Sequence, residues 1–309
     1  MIVLRAHSKE RMQGWFDVFE RELPGTPVRL WPDYDDPAEV EFVIASALPP
    51  GEFAKFPNLK FVACMAVGVE RLLGDATMPA HIPIVRSVNP ARGDTMTEYV
   101  ALHVLRYFRR LPDYEANQDA QIWARLPDPA ASETGVGIMG LGNLGLMAAE
   151  RLRLFGFPVA GWVRNSREIA GIEVFSGQDN FHAFLARSNI VVCLLPLTPE
   201  TRDILDARAF AAMPRGSYLI NAGRGEHIVD ADLLAALDSG QLAGATLDVF
   251  RQEPLPADHV FWRHPKITVT PHNAAATRLA HGADIVLENI RRARTGQPLV
   301  NLVDKAAGY

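Results

Sequence analysis

Apolar residues in the first third of the chain gather into short runs of strand length: Ile2 to Arg5, Val28 to Trp31, Phe42 to Ala45, Lys60 to Met65 and Ile82 to Val85. Between the first two, Lys9 to Leu23 spaces its apolar positions as one face of a helix does. Strands alternating with helical or loop segments predict a small α/β unit of flavodoxin-like pattern over residues 1–94. Its proline joints, at Trp31-Pro32, Leu48-Pro49-Pro50 and Phe56-Pro57, read as turns inside that unit rather than as a linker. Thr95 to Arg110 carries Tyr99, Val100, Leu102, Val104, Leu105, Tyr107 and Phe108, so this predicted helix is apolar nearly all round and needs cover on more than one side. Asp113 to Trp123 is a second helical stretch, read either as an arm reaching a second subunit or as a plain surface helix.

From Thr134 onward the alternation becomes regular. Strands are predicted at Thr134 to Met139, Val159 to Val163, Ile190 to Leu194, Tyr218 to Asn221, Ala245 to Val249 and Ile267 to Thr270, separated by helical stretches such as Asp230 to Ser239. These runs are apolar without clear alternation, as strands covered by helices on both faces must be. A last helix, about Thr277 to Arg292, returns the chain to the first unit, which is therefore expected to be discontinuous. The predicted fold class is α/β: a Rossmann-type doubly wound parallel sheet over 95–277, with a smaller flavodoxin-like domain built from 1–94 and 278–309.

One turn gives the larger domain a candidate ligand. The strand ending at Met139 runs into Gly140-Leu141-Gly142-Asn143-Leu144-Gly145, a G-x-G-x-x-G turn, and Leu146 to Phe155 resumes helical spacing. In such a turn Gly140 permits the tight bend, Gly142 lets a pyrophosphate approach the backbone, and Gly145 lets helix and strand pack closely. The phosphates then rest on the positive end of the helix. Alone the pattern is weak; its place between a strand and a helix is what argues for a dinucleotide. About 20 residues beyond the last glycine, where an NAD site carries a carboxylate for the adenosine ribose, this chain has Arg164, Asn165, Ser166 and Arg167. Cationic, hydrogen-bonding groups suit a 2′-phosphate, which a carboxylate would repel. NADP(H) is thus the preferred cofactor, with NAD(H) still open.

Composition excludes more than it selects. Hydrophobic content of 48% and charged content of 22% are those of an ordinary globular protein, and 309 residues suffice for two domains with separate cores. A net charge of -5, with no basic run interleaved with aromatics, gives no footprint for nucleic acid. Met1 to Arg5 reads as a strand rather than a signal peptide, and no apolar run approaches a membrane span, so a cytoplasmic location is expected. Cys64 and Cys193 lie in apolar runs and read as core thiols, with neither a disulfide framework nor metal-ligand spacing around them.

Three loops after the late strands carry chemistry, at the carboxyl ends where open α/β sheets bind ligands. Asn221-Ala222-Gly223-Arg224-Gly225 sets an arginine between glycines, where its planar fork can approach a small carboxylate and bond it twice. The second loop holds Asp248 and Glu253, and the third presents His272 within Thr270-Pro271-His272-Asn273. An imidazole bonded to a carboxylate is held in one tautomer and stabilised as imidazolium, which makes it a competent acid at neutral pH.

Together these stretches resemble the D-isomer-specific 2-hydroxyacid dehydrogenases: N-A-G-R-G-E at 221–226, D-L-L-A-A-L-D-S-G-Q-L-A-G-A at 232–245, D-V-F-R-Q-E-P-L-P at 248–256 and P-H-N-A-A-A-T at 271–277. The resemblance spans essentially the whole chain, and these motifs in this order are highly specific. Within the family the chain is most similar to the glyoxylate and hydroxypyruvate reductase A branch, through Y-F-R-R-L-P-D-Y at 107–114, I-W at 122–123 and G-F-P-V-A-G-W-V-R-N-S-R at 156–167. It implies that Arg224 binds the substrate carboxylate and polarises its carbonyl, that His272 donates a proton there as hydride arrives, and that Glu253 orients and charges His272. The cofactor would be held by Gly140, Gly142, Asn143, Leu144, Gly145, Arg164, Ser166, Arg167, Leu195, Pro196, Thr198, Ala222 and Gly223, with Asp248 facing the nicotinamide. Val67 and Gly68 match the turn of the smaller domain that clamps the substrate carboxylate. Two positions depart from the branch: Asn273 follows the histidine where an apolar residue is commoner, and Gly161 precedes Trp162.

The expected protein is a homodimeric reductase of glyoxylate, hydroxypyruvate or a similar small 2-oxo acid, with substrate between two domains whose closure excludes water. Two rivals remain at this level. One is an NAD-linked dehydrogenase of a bulkier 2-hydroxy acid; the other is a dinucleotide-sensing binding protein that keeps the fold without turnover, against which the retained Arg224, Glu253 and His272 argue.

Overall fold

The computed structural model describes residues 1–309 except 6–8, 66–67, 87–89, 276–278 and 306–309. Within it the chain divides into two units, Met1–Ala91 with Thr277–Tyr309, and Arg92–Ala276. Each is organised by one all-parallel sheet.

In the first unit the strands are β1 (Ile2–Leu4), β2 (Val28–Leu30), β3 (Phe42–Ile44), β4 (Phe61–Cys64) and β5 (Ile84–Arg86), in the order β2-β1-β3-β4-β5. That is the flavodoxin-like order. Strands β1, β3 and β4 are buried throughout, which explains why their sequences read as unbroken apolar runs. Successive side chains nevertheless alternate between two cores. Ile2, Leu4, Phe42, Ile44 and Phe61 meet Trp15 and Phe19 of the helix Lys9–Glu22 and Val286, Leu287 and Ile290 of the helix Leu279–Arg294. Val3, Val43, Val62 and Cys64 meet Phe53, Phe56 and Leu72 on the other face. Phe19, Phe42 and Phe61 are wholly enclosed, and truncating any of them to alanine would cost about 3–5 kcal/mol.

The second unit holds β6 (Val136–Met139), β7 (Val159–Val163), β8 (Glu173–Ser176), β9 (Ile190–Cys193), β10 (Ser217–Asn221), β11 (Leu242–Leu247) and β12 (Ile267–Val269). Their order, β12-β11-β10-β9-β6-β7-β8, is that of a doubly wound Rossmann sheet with a seventh strand. It reverses direction between β6 and β9, and that switch point is where such sheets place their ligand. Both core cysteines are fully buried, and burial pushes the Cys193 thiol up to about 12, so it stays protonated and inert.

Several elements differ from the sequence expectation. Edge strand β8 has the mixed sequence E-V-F-S and is only partly buried, so it lacks the apolar run that marks the others. The long helix begins at Pro90 rather than Thr95 and ends at Phe108; proline at a first helical position has its φ already set. Met96, Val100, Val104 and Tyr107 of this helix are buried, while Leu102 is 61% exposed within one chain. The next helix is Leu111–Asp119. It is bounded by left-handed residues, Arg110 at φ 56° and Gln121 at φ 57°, so Ile122 and Trp123 lie beyond it. Among the described residues, no helix is long and apolar enough to cross a membrane.

Candidate active site

The glycine turn after β6 requires glycine at two of its three positions. Gly140 sits at φ 94°, a backbone conformation L-residues avoid. A Cβ on Gly145 would lie 2.0 Å from the Gly140 carbonyl oxygen, so the helix can approach the strand this closely only with glycine there. Around Gly142, by contrast, a Cβ would meet nothing within 4 Å. The helix Asn143–Leu154 starts beside it with no side chain capping its first amides, leaving N–H groups available to an anion. Asn143 is exposed and Leu144 half-buried. Gly161, the departure noted in β7, has a local cause: a Cβ there would lie 2.2 Å from Leu141 Cδ1, so the Leu141 side chain occupies the space.

Arg164, Ser166 and Arg167 follow β7 on the surface. The Arg167 guanidinium donates to the Leu141 carbonyl and so folds over the glycine turn. The Glu200 carboxyl is held below its usual value first by the Thr198 hydroxyl, then by its own N–H, and also by the charge of Arg164. Arg164 is therefore within electrostatic range of the loop after β9, where Leu195, Pro196 and Thr198 lie. In that loop Thr201 Oγ1 accepts from the Thr198 N–H at 2.8 Å and donates to the Pro196 carbonyl at 2.8 Å.

Arg224, Glu253 and His272 come from the loops that follow β10, β11 and β12, three neighbouring strands, so parallel order alone brings the loops to one edge. His272 Nδ1 lies 2.8 Å from Glu253 Oε2, and Glu253 Oε1 accepts the Phe250 N–H at 3.0 Å. Burial, the largest single influence, pushes the Glu253 carboxyl up. The hydrogen bonds from His272 and Phe250, with the charges of His272 and Arg224, outweigh it and hold the group below its usual value. Arg224 is thus close enough to act electrostatically on Glu253.

The His272 backbone is as specified as its ring. The residue has φ 54°, a conformation that costs a non-glycine residue about 1–3 kcal/mol and persists only where its surroundings enforce it. Asp248 supplies much of that enforcement. Its carbonyl accepts the His272 N–H at 2.8 Å; its Oδ1 accepts from the Thr270 hydroxyl at 2.6 Å and the Asn273 N–H at 2.9 Å; its Oδ2 accepts the Ala274 N–H at 2.9 Å. Because the one Thr270 hydroxyl proton goes to Asp248, Tyr99, 2.7 Å from Thr270 Oγ1, must donate to it. Burial pushes the Tyr99 phenol well up, keeping that proton in place. Asn273 uses its backbone N–H here, a contact that does not depend on the side chain in which it departs from the branch.

Gly225 joins two of the loops. A Cβ on it would fall 1.9 Å from the Phe250 carbonyl carbon, so the Arg224 turn packs against the strand end that fixes Glu253 only because residue 225 has no side chain. Ala222 is half-buried and Gly223 buried beside Leu195. Gly68 follows β4 in the other unit; Val67 lies outside the described residues. Sequence reasoning passed over Tyr99 and Thr270 as ordinary helix and strand residues, and His227 as one of nine histidines, because no spacing distinguished them.

Comparison with known proteins gives the chain its family. The model of the "D-isomer specific 2-hydroxyacid dehydrogenase, NAD binding domain" matches residues 101–274. The chain belongs to this family, and so to the oxidoreductases. More narrowly, it is similar to the glyoxylate/hydroxypyruvate reductase A of Salmonella newport (strain SL254), 38% identical over 100% of both chains. Among solved structures, a D-isomer specific 2-hydroxyacid dehydrogenase from Xanthobacter autotrophicus Py2 in complex with NADPH and MES is 39% identical, with a TM-score of 0.93 over 100% of this chain and 99% of that one. An NADPH-dependent glyoxylate/hydroxypyruvate reductase from Sinorhizobium meliloti in complex with NADP and sulfate is 36% identical, with a TM-score of 0.92 over 100% and 99%.

Proposed function

We propose that this protein reduces glyoxylate, hydroxypyruvate or a similarly small 2-oxo acid to the 2-hydroxy acid, with NADPH as the hydride donor. The carrying observation is the 2.8 Å pair of His272 and Glu253 within the electrostatic reach of Arg224. Bound NADPH supplies the hydride; the remaining work falls to side chains of this chain. Arg224 binds the substrate carboxylate through its fork and stabilises negative charge developing on the carbonyl oxygen. His272, with Nδ1 toward Glu253, presents Nε2 as the proton donor to that oxygen. The open first turn at Gly142 and Asn143 would take the pyrophosphate, and Arg164 with Ser166 the 2′-phosphate. Names of relatives support the substrate class and the cofactor: NADPH-dependent glyoxylate/hydroxypyruvate reductase in Sinorhizobium meliloti, glyoxylate/hydroxypyruvate reductase A in Salmonella.

The active form is proposed to be a homodimer. Leu102, Leu111, Ile122 and Trp123 are exposed, Trp123 completely, on and just beyond the two helices 90–108 and 111–119. So much apolar surface on one stretch calls for a partner of the same kind. A panel of 2-oxo acids assayed with both reduced nicotinamides tests the reaction. Sedimentation of Trp123→Glu beside the wild type tests the assembly: a wild type that sediments as a monomer overturns the dimer, and a variant that stays dimeric moves the interface away from Trp123.

A further inference from the structure

His227 is wholly buried, three residues beyond Arg224, in the short turn Gly225–His227. Its two ring nitrogens reach two different loops. Nδ1 accepts the backbone N–H of Arg224 at 3.0 Å, and Nε2 lies 3.3 Å from the Pro196 carbonyl oxygen in the loop after β9. An Nδ1 that accepts an N–H carries no proton, so the ring is neutral, with its proton on Nε2 directed at Pro196. An imidazolium would set one N–H against another. Cys193 Sγ sits 3.6 Å from Nδ1, and Gly223 lies so close that a Cβ there would be 3.0 Å from Cε1 and from Nδ1. The main chain is tied as well: the Leu205 N–H donates to the His227 carbonyl at 2.9 Å.

The Arg224 backbone is thereby held at both its N–H and its carbonyl by side chains of its own loop. His227 takes its N–H, and the Asn221 amide donates to its carbonyl at 2.9 Å. With the backbone pinned at these atoms, the guanidinium starts from one fixed point. The same ring fixes the Pro196 carbonyl, beside Leu195 and Thr198. Few side chains can do both, since the task needs an acceptor and a donor about 2 Å apart on one rigid plane.

We propose that His227 is a positioning residue for the reduction: a neutral imidazole that locks the Arg224 loop to the Pro196 loop, so that the substrate-binding guanidinium and the lining of the nicotinamide side are set relative to each other. The proposal rests on the reductase assignment above, and its two halves can be read separately. His227→Asn keeps an acceptor close to the position of Nδ1 but falls short of Pro196. His227→Leu removes both bonds: it leaves the Arg224 N–H unpaired, and the Pro196 carbonyl keeps only its bond from Thr201.

The experiment measures kcat and KM for the 2-oxo acid, together with NADPH affinity by direct titration, on wild type and both variants. His227→Leu is expected to raise KM and lower kcat, each by about 10-fold or more, and to weaken NADPH about 10-fold. His227→Asn is expected to return KM to within about 3-fold of wild type while NADPH binding stays weakened. A residue that merely filled space would give no such split: its variants would share a lower melting temperature with unaltered KM, and that result overturns the proposal. If His227→Leu does not fold, the Asn variant decides alone, because KM and NADPH affinity moving together contradicts the two-loop lock. Should the wild type reduce no 2-oxo acid, the reductase assignment fails, while NADPH titration of the Asn variant still judges the Pro196 half.

Discussion

Glu253 faces His272 with one carboxylate oxygen because its other oxygen is occupied 3.0 Å away by the Phe250 N–H. A carboxylate fixed at both ends cannot turn away from the ring, so the Nδ1 proton and the ring plane are set before substrate arrives. Glu253→Gln removes the charge while keeping the shape. Its amide nitrogen cannot accept from Nδ1, and the imidazolium loses its counter-charge. On the proposed mechanism the protonated ring is the proton donor, so reduction declines at high pH, and in this variant the decline is expected at lower pH. An accompanying fall in kcat of about 10²-fold is expected. The pH–rate profile checks it; a descending limb that does not move contradicts the role.

The same carboxyl links stability to pH in a defined direction. In the fold Glu253 is held below its ordinary value, chiefly against burial and through its bonds to His272 and Phe250. Its contribution is therefore present above the unfolded value, near ~4.3, and is lost as pH falls through the lower folded value. Melting temperatures of wild type and Glu253→Gln should differ at neutral pH and converge as pH falls through the lowered folded value. A gap that persists at lower pH would mean the carboxylate's charge is not what stabilises the loop.

Asp248 spends its carboxylate on the loop that carries His272, receiving Thr270, Asn273 and Ala274. Asp248→Asn turns an amide NH2 toward one set of these donors. We expect a loss of about 1–3 kcal/mol in unfolding free energy and a larger proportional loss in kcat, since His272 would no longer be held at its left-handed φ. Tyr99→Phe removes only the outermost donor of the chain and should cost about 0.5–1.5 kcal/mol. Denaturant midpoints and turnover on the two variants provide the check, and a fully stable, fully active Asp248→Asn would refute the positioning role.

Cofactor choice should follow Arg164. The residue stands where a ribose-binding carboxylate stands in NAD enzymes, and its charge reaches across to Glu200. Arg164→Asp is expected to lower kcat/KM for NADPH by about 10–100-fold relative to NADH, as repulsion replaces a charge-assisted bond. An unchanged ratio of the two would remove Arg164 from the 2′-phosphate site.

Strands were legible wherever burial on both faces left an unbroken apolar run, as in β1, β3, β4, β6, β7 and β9. Edge strand β8, half-solvated and carrying Glu173 and Ser176, left no such trace. The glycine turn was readable because its spacing sits between a strand and a helix, and Gly140 and Gly145 each answer a separate steric demand. Arg224, Glu253 and His272 could be picked out because each stands in a loop with its own chemical logic, and the family resemblance named their partners. The supporting residues were not readable in this way. Thr270 and Tyr99 lie 171 positions apart and meet only through the fold. Gly225 reads as a flank that lets Arg224 approach a small ligand, whereas its missing Cβ is what lets two loops touch.

The most direct test of the account is the oxidation of NADPH by the purified protein in the presence of glyoxylate or hydroxypyruvate, beside His272→Asn and Arg224→Gln. The account predicts turnover by the wild type with NADPH favoured over NADH. His272→Asn should retain NADPH binding but lose about 10²–10⁴-fold in kcat, and Arg224→Gln should lose chiefly in kcat/KM for the 2-oxo acid. A wild type that binds NADPH yet oxidises none with any small 2-oxo acid, or a His272→Asn variant as fast as the wild type, would contradict it.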